Sequence, residues 1–176
     1  MIYTKLTNEA MRIAYRAHHG QVDKSGIPYI FHPCHLAEQM PDEYTTCVAL
    51  LHDVVEDVEG VTLEDLPVNE EARELVRLMT KDKSRGSHDP EMLEKYYGGI
   101  ASNPKAALIK CIDRCNNITT MSWGLGRDKI YRMITETEQY YPELLKVLKD
   151  TPEYNNASWL LKYHIESMLD IYKRLL

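Results

Sequence analysis

Apolar residues recur along this chain at the three- and four-residue intervals of a helix almost from end to end. Over residues 6–19, Leu6, Ala10, Ile13, Ala14 and Ala17 fall on one stripe. The period then breaks in VDKSGIPYIFHP, where Gly26, Pro28 and Pro33 predict a shaped loop. Helices are predicted over 33–40 and 43–58. Thr62 and Asp65 have the spacing of a helix-start box. Leu75, Val76, Leu78 and Met79 predict another helix over 69–80. The polar stretch KDKSRGSHDPEM, 81–92, predicts a mobile connection. Further helices fit 90–97, 104–120, 127–140 and 155–175, with Pro104, Pro142 and Pro152 as punctuation. No repeat, low-complexity tract, run of strands or linker-like composition shift interrupts the pattern. The expectation is a single all-α domain covering 1–176.

Composition narrows the function classes. Apolar residues make up 44% of the 176, enough for the core of one ordinary domain. A formal charge of −6 argues against a general nucleic-acid binder and leaves room for a small phosphate ligand held by a few local cations. The N-terminal segment lacks an apolar signal core, and no later run approaches membrane-spanning length, so no membrane association is expected. Cys34, Cys47, Cys111 and Cys115 form no C-x-x-C pair. Cys111 and Cys115 share one helical face with Leu108, Ile112 and Ile118, and read as buried free thiols. The expected compartment is a reduced cytoplasm.

One predicted helix carries unusual chemistry. In ALLHDVVEDVEG, 49–60, a rotation of about 100° per residue puts His52, Asp53, Glu56 and Asp57 in one arc. Leu50, Leu51, Val54, Val55 and Val58, with Cys47 and Val48, fill the rest, and Ala49 leaves room above the charged stripe. A lone carboxylate there would read as an ordinary solvated face. Clustered carboxylates beside an imidazole repel unless protons or a cation intervene. A divalent metal is the economical cation, and His with Asp supplies suitable ligands.

Two adjacent ligands cannot hold a metal alone. PYIFHP offers His32, and a residue before proline is expected to stay out of the helical region, which suits a rigid donor at a helix start. ALIKCIDRCNNITT offers Asp113 on a helix whose other face is apolar, with Asn117 one turn on. Each residue singly reads as a satisfied structural polar group; together they compose a His–His-Asp–Asp site. Two imidazoles and two carboxylates suit iron or zinc as well as manganese.

These motifs resemble the HD superfamily of metal-dependent phosphohydrolases, named for doublets such as His52-Asp53. The longer matches AHHGQVDKSGIPYIFHP (17–33), ALLHDVVEDV (49–58), LMTKDK (78–83) and IKCIDRCNNITT (109–120) resemble the hydrolase domain of RelA/SpoT-type enzymes and the stand-alone small alarmone hydrolases. A weaker match, RDKIYRMITETEQYYPEL, runs to about residue 144, and the C-terminal 30 residues match nothing in the pattern. The resemblance implies an HD-type helical bundle that removes the 3′-pyrophosphate from guanosine tetra- and pentaphosphate using manganese. It implies His32, His52, Asp53 and Asp113 as metal ligands. It implies Glu56 and Asp57 as the acids near the attacking water, with Glu56 as general base. It implies Lys24, Ser25, Asn117 and Thr120 as nucleotide contacts. At this length no synthetase domain fits, so only degradation is expected.

Two positions depart from the family pattern. Asp23 stands where an Arg usually packs on the guanine, and an acid cannot make that contact. Thr119 stands where a basic residue is usual. These departures favour one rival, an HD-type nucleotidase or phosphatase acting on a different nucleotide; a rival of another class, a non-catalytic nucleotide-sensing module, is opposed by the intact candidate ligands and the Glu56-Asp57 pair. Lys24, Lys81, Lys110 and Arg114 are candidates to neutralise phosphate. His18 is expected to make a structural hydrogen bond, His88 to be solvated and His164 to lie on a helix face.

Overall fold

Polar caps set where most helices begin, and apolar stripes set how far they run. The protein is seen in a computed structural model that describes residues 1–82, 86 and 88–176. It divides into two compact units, Met1–Ile100 and Ala101–Leu176.

In the first unit, Thr4 forms a capping box at the start of α1 (Lys5–Ala17), whose Ala10 and Ala14 are buried. After the loop come α2 (Phe31–Ala37) and α3 (Glu43–Leu51), the latter capped by Asp42. Residues Cys47 to Leu51 of α3 have no exposed surface. An apolar run buried on every side marks a helix at the centre of its unit, and α3 packs against α1 and α2. The short α4 (Val54–Asp57) follows, then α5 (Glu70–Met79), capped by Asn69, and α6 (Pro90–Ala101). Helix α5 also packs on α3.

In the second unit, α7 (Pro104–Gly124) starts at the Asn103 cap with Pro104 in the first turn, where its missing N–H costs nothing. It packs with α8 (Arg127–Asp150) and α9 (Asn155–Leu175), and these two pack with each other. Among the described residues there is no strand, only an isolated bridge between Val22 and Pro28. No helix among them is long and apolar enough to cross a membrane.

Several elements differ from the sequence expectation for physical reasons. The helix expected over 43–58 breaks at His52 and Asp53, giving α3 and α4. His32 lies inside the first turn of α2 rather than outside it; Pro33 is tolerated there because an early helical N–H is unpaired anyway. Helix α8 runs through Pro142 to Asp150 instead of stopping near 140. An interior proline costs about 3 kcal/mol. Burial of Tyr141, Leu144, Leu145 and Leu148 around it offsets that cost. Helix α6 extends past 97 through Gly98 and Gly99. The Thr62–Asp65 box is present, but it heads a single 3-10 turn, Leu63–Asp65. Of the connection expected to be mobile, Lys83, Ser84, Arg85 and Ser87 lie outside the described residues.

Candidate metal centre

The break after α3 decides what His52 and Asp53 can do. Adjacent residues on a continuous helix point about 100° apart. At the break, His52 Nε2 and Asp53 Oδ2 come within 2.9 Å. The buried His52 ring is oriented by its other nitrogen, since Nδ1 lies 2.8 Å from the Ala49 carbonyl oxygen. A carbonyl only accepts, so Nδ1 carries the proton and the lone pair is on Nε2, the state a metal ligand needs.

His32, in the first turn of α2, brings its Nε2 to 3.8 Å from the same Asp53 oxygen. One ligand atom from each of His32, His52 and Asp53 lies within 4.8 Å of the others. Metal–ligand bonds of about 2.0–2.2 Å put two donors of one ion roughly 2.9–4.4 Å apart. Both separations to Asp53 fall in that span. His52 is buried while His32 and Asp53 are partly exposed, so the cluster is anchored in the core and reachable from solvent. Two imidazoles, that of His52 oriented by its own backbone contact, and a carboxylate fit a divalent transition metal.

Tyr29 is a site residue that the sequence reading passed over. Its hydroxyl donates to Asp53 Oδ2. Its ring packs against His18, with centroids 4.8 Å apart, and against His32, at 5.6 Å. His18 is buried and hydrogen-bonds through Nδ1 to Gln21 Oε1 at 2.8 Å, in line with a structural role. The available signal was position: Tyr29 lies three residues before His32, inside the motif that supplies this candidate ligand.

Glu56 and Asp57 follow on α4. Glu56 is half-buried, and its Oε2 accepts from the Lys81 main-chain N–H at 3.0 Å. Asp57 is exposed, and its own N–H closes the turn onto the Asp53 carbonyl at 2.8 Å.

The loop between α1 and α2 explains Asp23. Its Oδ1 accepts from the N–H groups of Ser25 and Ile27, at 2.8 and 2.9 Å. Gly26 supplies the positive φ of 84° that the turn requires. Asp23 therefore shapes a turn that leaves Lys24 and Ser25 exposed at its tip.

In the second unit, α7 carries Asp113, Asn117 and Thr120. Asp113 is buried, and its Oδ2 accepts from Lys110 Nζ at 2.8 Å and its Oδ1 from Asn117 Nδ2 at 2.6 Å. Lys110 thus serves Asp113. Arg114 is also buried, bound to Glu136 at 2.6 Å and donating to the Tyr141 hydroxyl at 2.9 Å. Burial pushes the Tyr141 hydroxyl up to about 12, keeping it a neutral partner. Thr120 Oγ1 donates to the Asn116 carbonyl at 3.3 Å. Thr119 Oγ1 sits 3.0 Å from His164 Nε2, so the second departing position is joined to α9. His88 is exposed.

The structure therefore brings together His32, His52 and Asp53 in the first unit, with Glu56 and Asp57 next in chain order, and joins Asp113 to Asn117 in the second.

No family model matches the chain. The bifunctional (p)ppGpp synthase/hydrolase SpoT of Escherichia coli strain K12 is 34% identical over 153 residues, 80% of this chain and 21% of that protein. A guanosine-3′,5′-bis(diphosphate) 3′-pyrophosphohydrolase of Vibrio cholerae is 38% identical over 151 residues, 77% of this chain and 21% of that one. The chain thus spans about a fifth of the length of these curated relatives. Among solved structures, a metazoan ortholog of SpoT, described as hydrolysing ppGpp and playing a role in starvation responses, matches with a TM-score of 0.73. That match has 22% identity and covers 97% of both chains, which establishes a shared all-α fold.

Proposed function

We propose that this chain, similar over about four-fifths of its length to RelA/SpoT-type proteins, is an HD-superfamily metal-dependent phosphohydrolase removing the 3′-pyrophosphate from guanosine tetra- and pentaphosphate. The observation that carries this reading is the His32, His52 and Asp53 cluster, followed one helical turn on by Glu56. These three residues hold the cation. Asp113 is the fourth donor, proposed from the motif around it, and manganese is the ion that the family likeness favours. Bound there, a divalent metal supplies polarisation of the scissile phosphoryl group and a more acidic water.

The chain's own groups do the rest. Glu56 orients the attacking water and takes its proton, and Asp57 supports it. The water oxygen bonds to phosphorus, and the bond from that phosphorus to the ribose 3′-oxygen breaks. The proton held by Glu56 passes to the 3′-oxygen, so guanosine tetraphosphate yields GDP and pyrophosphate. Lys24 and Ser25 meet the nucleotide from the tip of their loop. Asn117 donates to a ribose or phosphate oxygen, and Thr120 lines the nucleotide pocket. The nucleotide is a small soluble substrate, and we place the reaction in the cytoplasm.

Asp23 favours a second reading. Its carboxylate is spent on the turn, where the family pattern has a cation against guanine. An HD-type nucleotidase or phosphatase acting on another nucleotide has the same metal chemistry. A panel of nucleotides assayed with manganese separates the two. Fast pyrophosphate release from guanosine tetraphosphate is expected; none there, with clear phosphate release elsewhere, would give the second reading the field. Binding without turnover across the panel would point to a nucleotide-sensing module.

A further inference from the structure

Helix α4 has four residues, far too few to hold its own geometry in water, where an isolated helix needs about 12–15. A proton acceptor on it needs support from outside. For Glu56 that support includes a main-chain group 25 positions away, the Lys81 N–H, 3.0 Å from Oε2. The Lys81 amide is itself held firmly. Thr80 closes α5 with its N–H 3.0 Å from the Val76 carbonyl, and its hydroxyl donates to the same oxygen at 2.9 Å. On α6, the buried Tyr96 donates its hydroxyl to the Met79 carbonyl at 2.9 Å. The Lys81 ammonium lies 5.1 Å from the Tyr96 ring centroid and 6.0 Å from that of Tyr97, within cation–π range.

We propose that the Thr80–Lys81 step, fastened by Tyr96, is a positioning device for Glu56. It acts on hydrolysis through that carboxylate and not by touching the substrate. This role rests on the functional reading above. A neutral amide fixes the direction of a carboxylate without adding a full opposing charge beside it. Lys81 would then matter chiefly through its backbone, with its ammonium serving as a tether to α6.

The test separates backbone from side chain. Thr80 has φ −81° and ψ 119°, the extended conformation required before a proline. Lys81→Pro therefore removes the amide hydrogen without forcing the preceding residue, while Lys81→Ala keeps it. Lys81→Pro should lower kcat about 10- to 100-fold, the range for losing a hydrogen bond to a charged group, with KM and manganese content unchanged. Lys81→Ala, which keeps the amide and loses the ammonium over Tyr96 and Tyr97, should lower kcat by a smaller factor than Lys81→Pro. Tyr96→Phe, which loses the hydroxyl and with it the Met79 bond, should lower kcat by a smaller factor than Lys81→Pro and serves if the proline variant does not fold. In a Glu56→Gln background the same changes should have no further effect on kcat, the signature of two groups acting as one. Unchanged kcat in both Lys81→Pro and Tyr96→Phe, or an equal loss in the Glu56→Gln background, overturns the role while leaving the hydrolytic reading intact. Absence of turnover by the wild-type protein on every nucleotide tested overturns both.

Discussion

The segment from α3 to α4 and the middle of α7 each set a carboxylate among buried apolar residues, and they do it in opposite ways. In the first, the helix breaks, and the break brings the adjacent His52 and Asp53 to 2.9 Å. In the second, the helix is unbroken, and Asp113 is reached by residues three and four positions away, Lys110 and Asn117. The first arrangement aims two donors at one point and gathers His32 to them. The second surrounds one carboxylate with a cation and an amide on its own helix. A continuous helix can stabilise a buried acid by itself, but it cannot make two neighbouring residues converge. The break is what lets a doublet aim both of its donors at one point, as the proposed metal site requires.

Substitutions can break or sharpen that contrast. Asp53→Ala removes the shared point of the first arrangement. Manganese affinity should fall by at least about 100-fold, beyond the usual loss for an outer partner of a ligand, and turnover should vanish; metal analysis of the purified variant reads this directly. Glu56→Gln leaves the cluster intact, so manganese should stay while kcat drops roughly 10²- to 10⁴-fold. A full rate in this variant would move the general-base role to another group. Asn117→Ala loosens the second arrangement without removing its carboxylate, and kcat/KM should fall about tenfold, the scale of one charge-assisted hydrogen bond.

The smallest effect is one the two segments share. Burial, the first cause in each case, pushes the thiols of Cys47 on α3 and Cys115 on α7 from 9.0 up to about 12. Well below pH 9 both folded and unfolded thiols keep their protons, and stability has no slope from them. Between about 9 and 12 the unfolded chain releases protons that the folded chain retains, so stability falls as pH rises. Urea midpoints should therefore decline from pH 8 to pH 10, and less steeply in Cys115→Ser. A decline of equal slope in that variant would assign it to other groups.

How much of this was legible in the sequence depends on what kind of signal each feature leaves. The stripe of Ala10 and Ala14 and the caps at Asn69 and Asn103 are written in side chains, and their helices fall where the period predicts. The break at His52 leaves no such mark, because Val54 continues the apolar stripe of Leu50 and Leu51 at helical spacing. Pro142 misled in the opposite direction: a local breaker is overridden by the burial of Tyr141 and Leu144 around it. Around the site, side-chain donors in motifs were found, but the hydroxyl of Tyr29 and the amide of Lys81 were not. Tyr29 looks like one more ring among twelve tyrosines. A backbone N–H has no residue type to read, and only the fold shows where it points.

The most direct test follows the oxygen of the attacking water. Manganese-loaded protein is incubated with guanosine tetraphosphate in heavy-oxygen water, and the products are identified by mass spectrometry. Attack at phosphorus by a water that Glu56 deprotonates predicts unlabelled GDP and pyrophosphate carrying one heavy oxygen atom. Unconsumed guanosine tetraphosphate, or the label appearing in GDP, would contradict it.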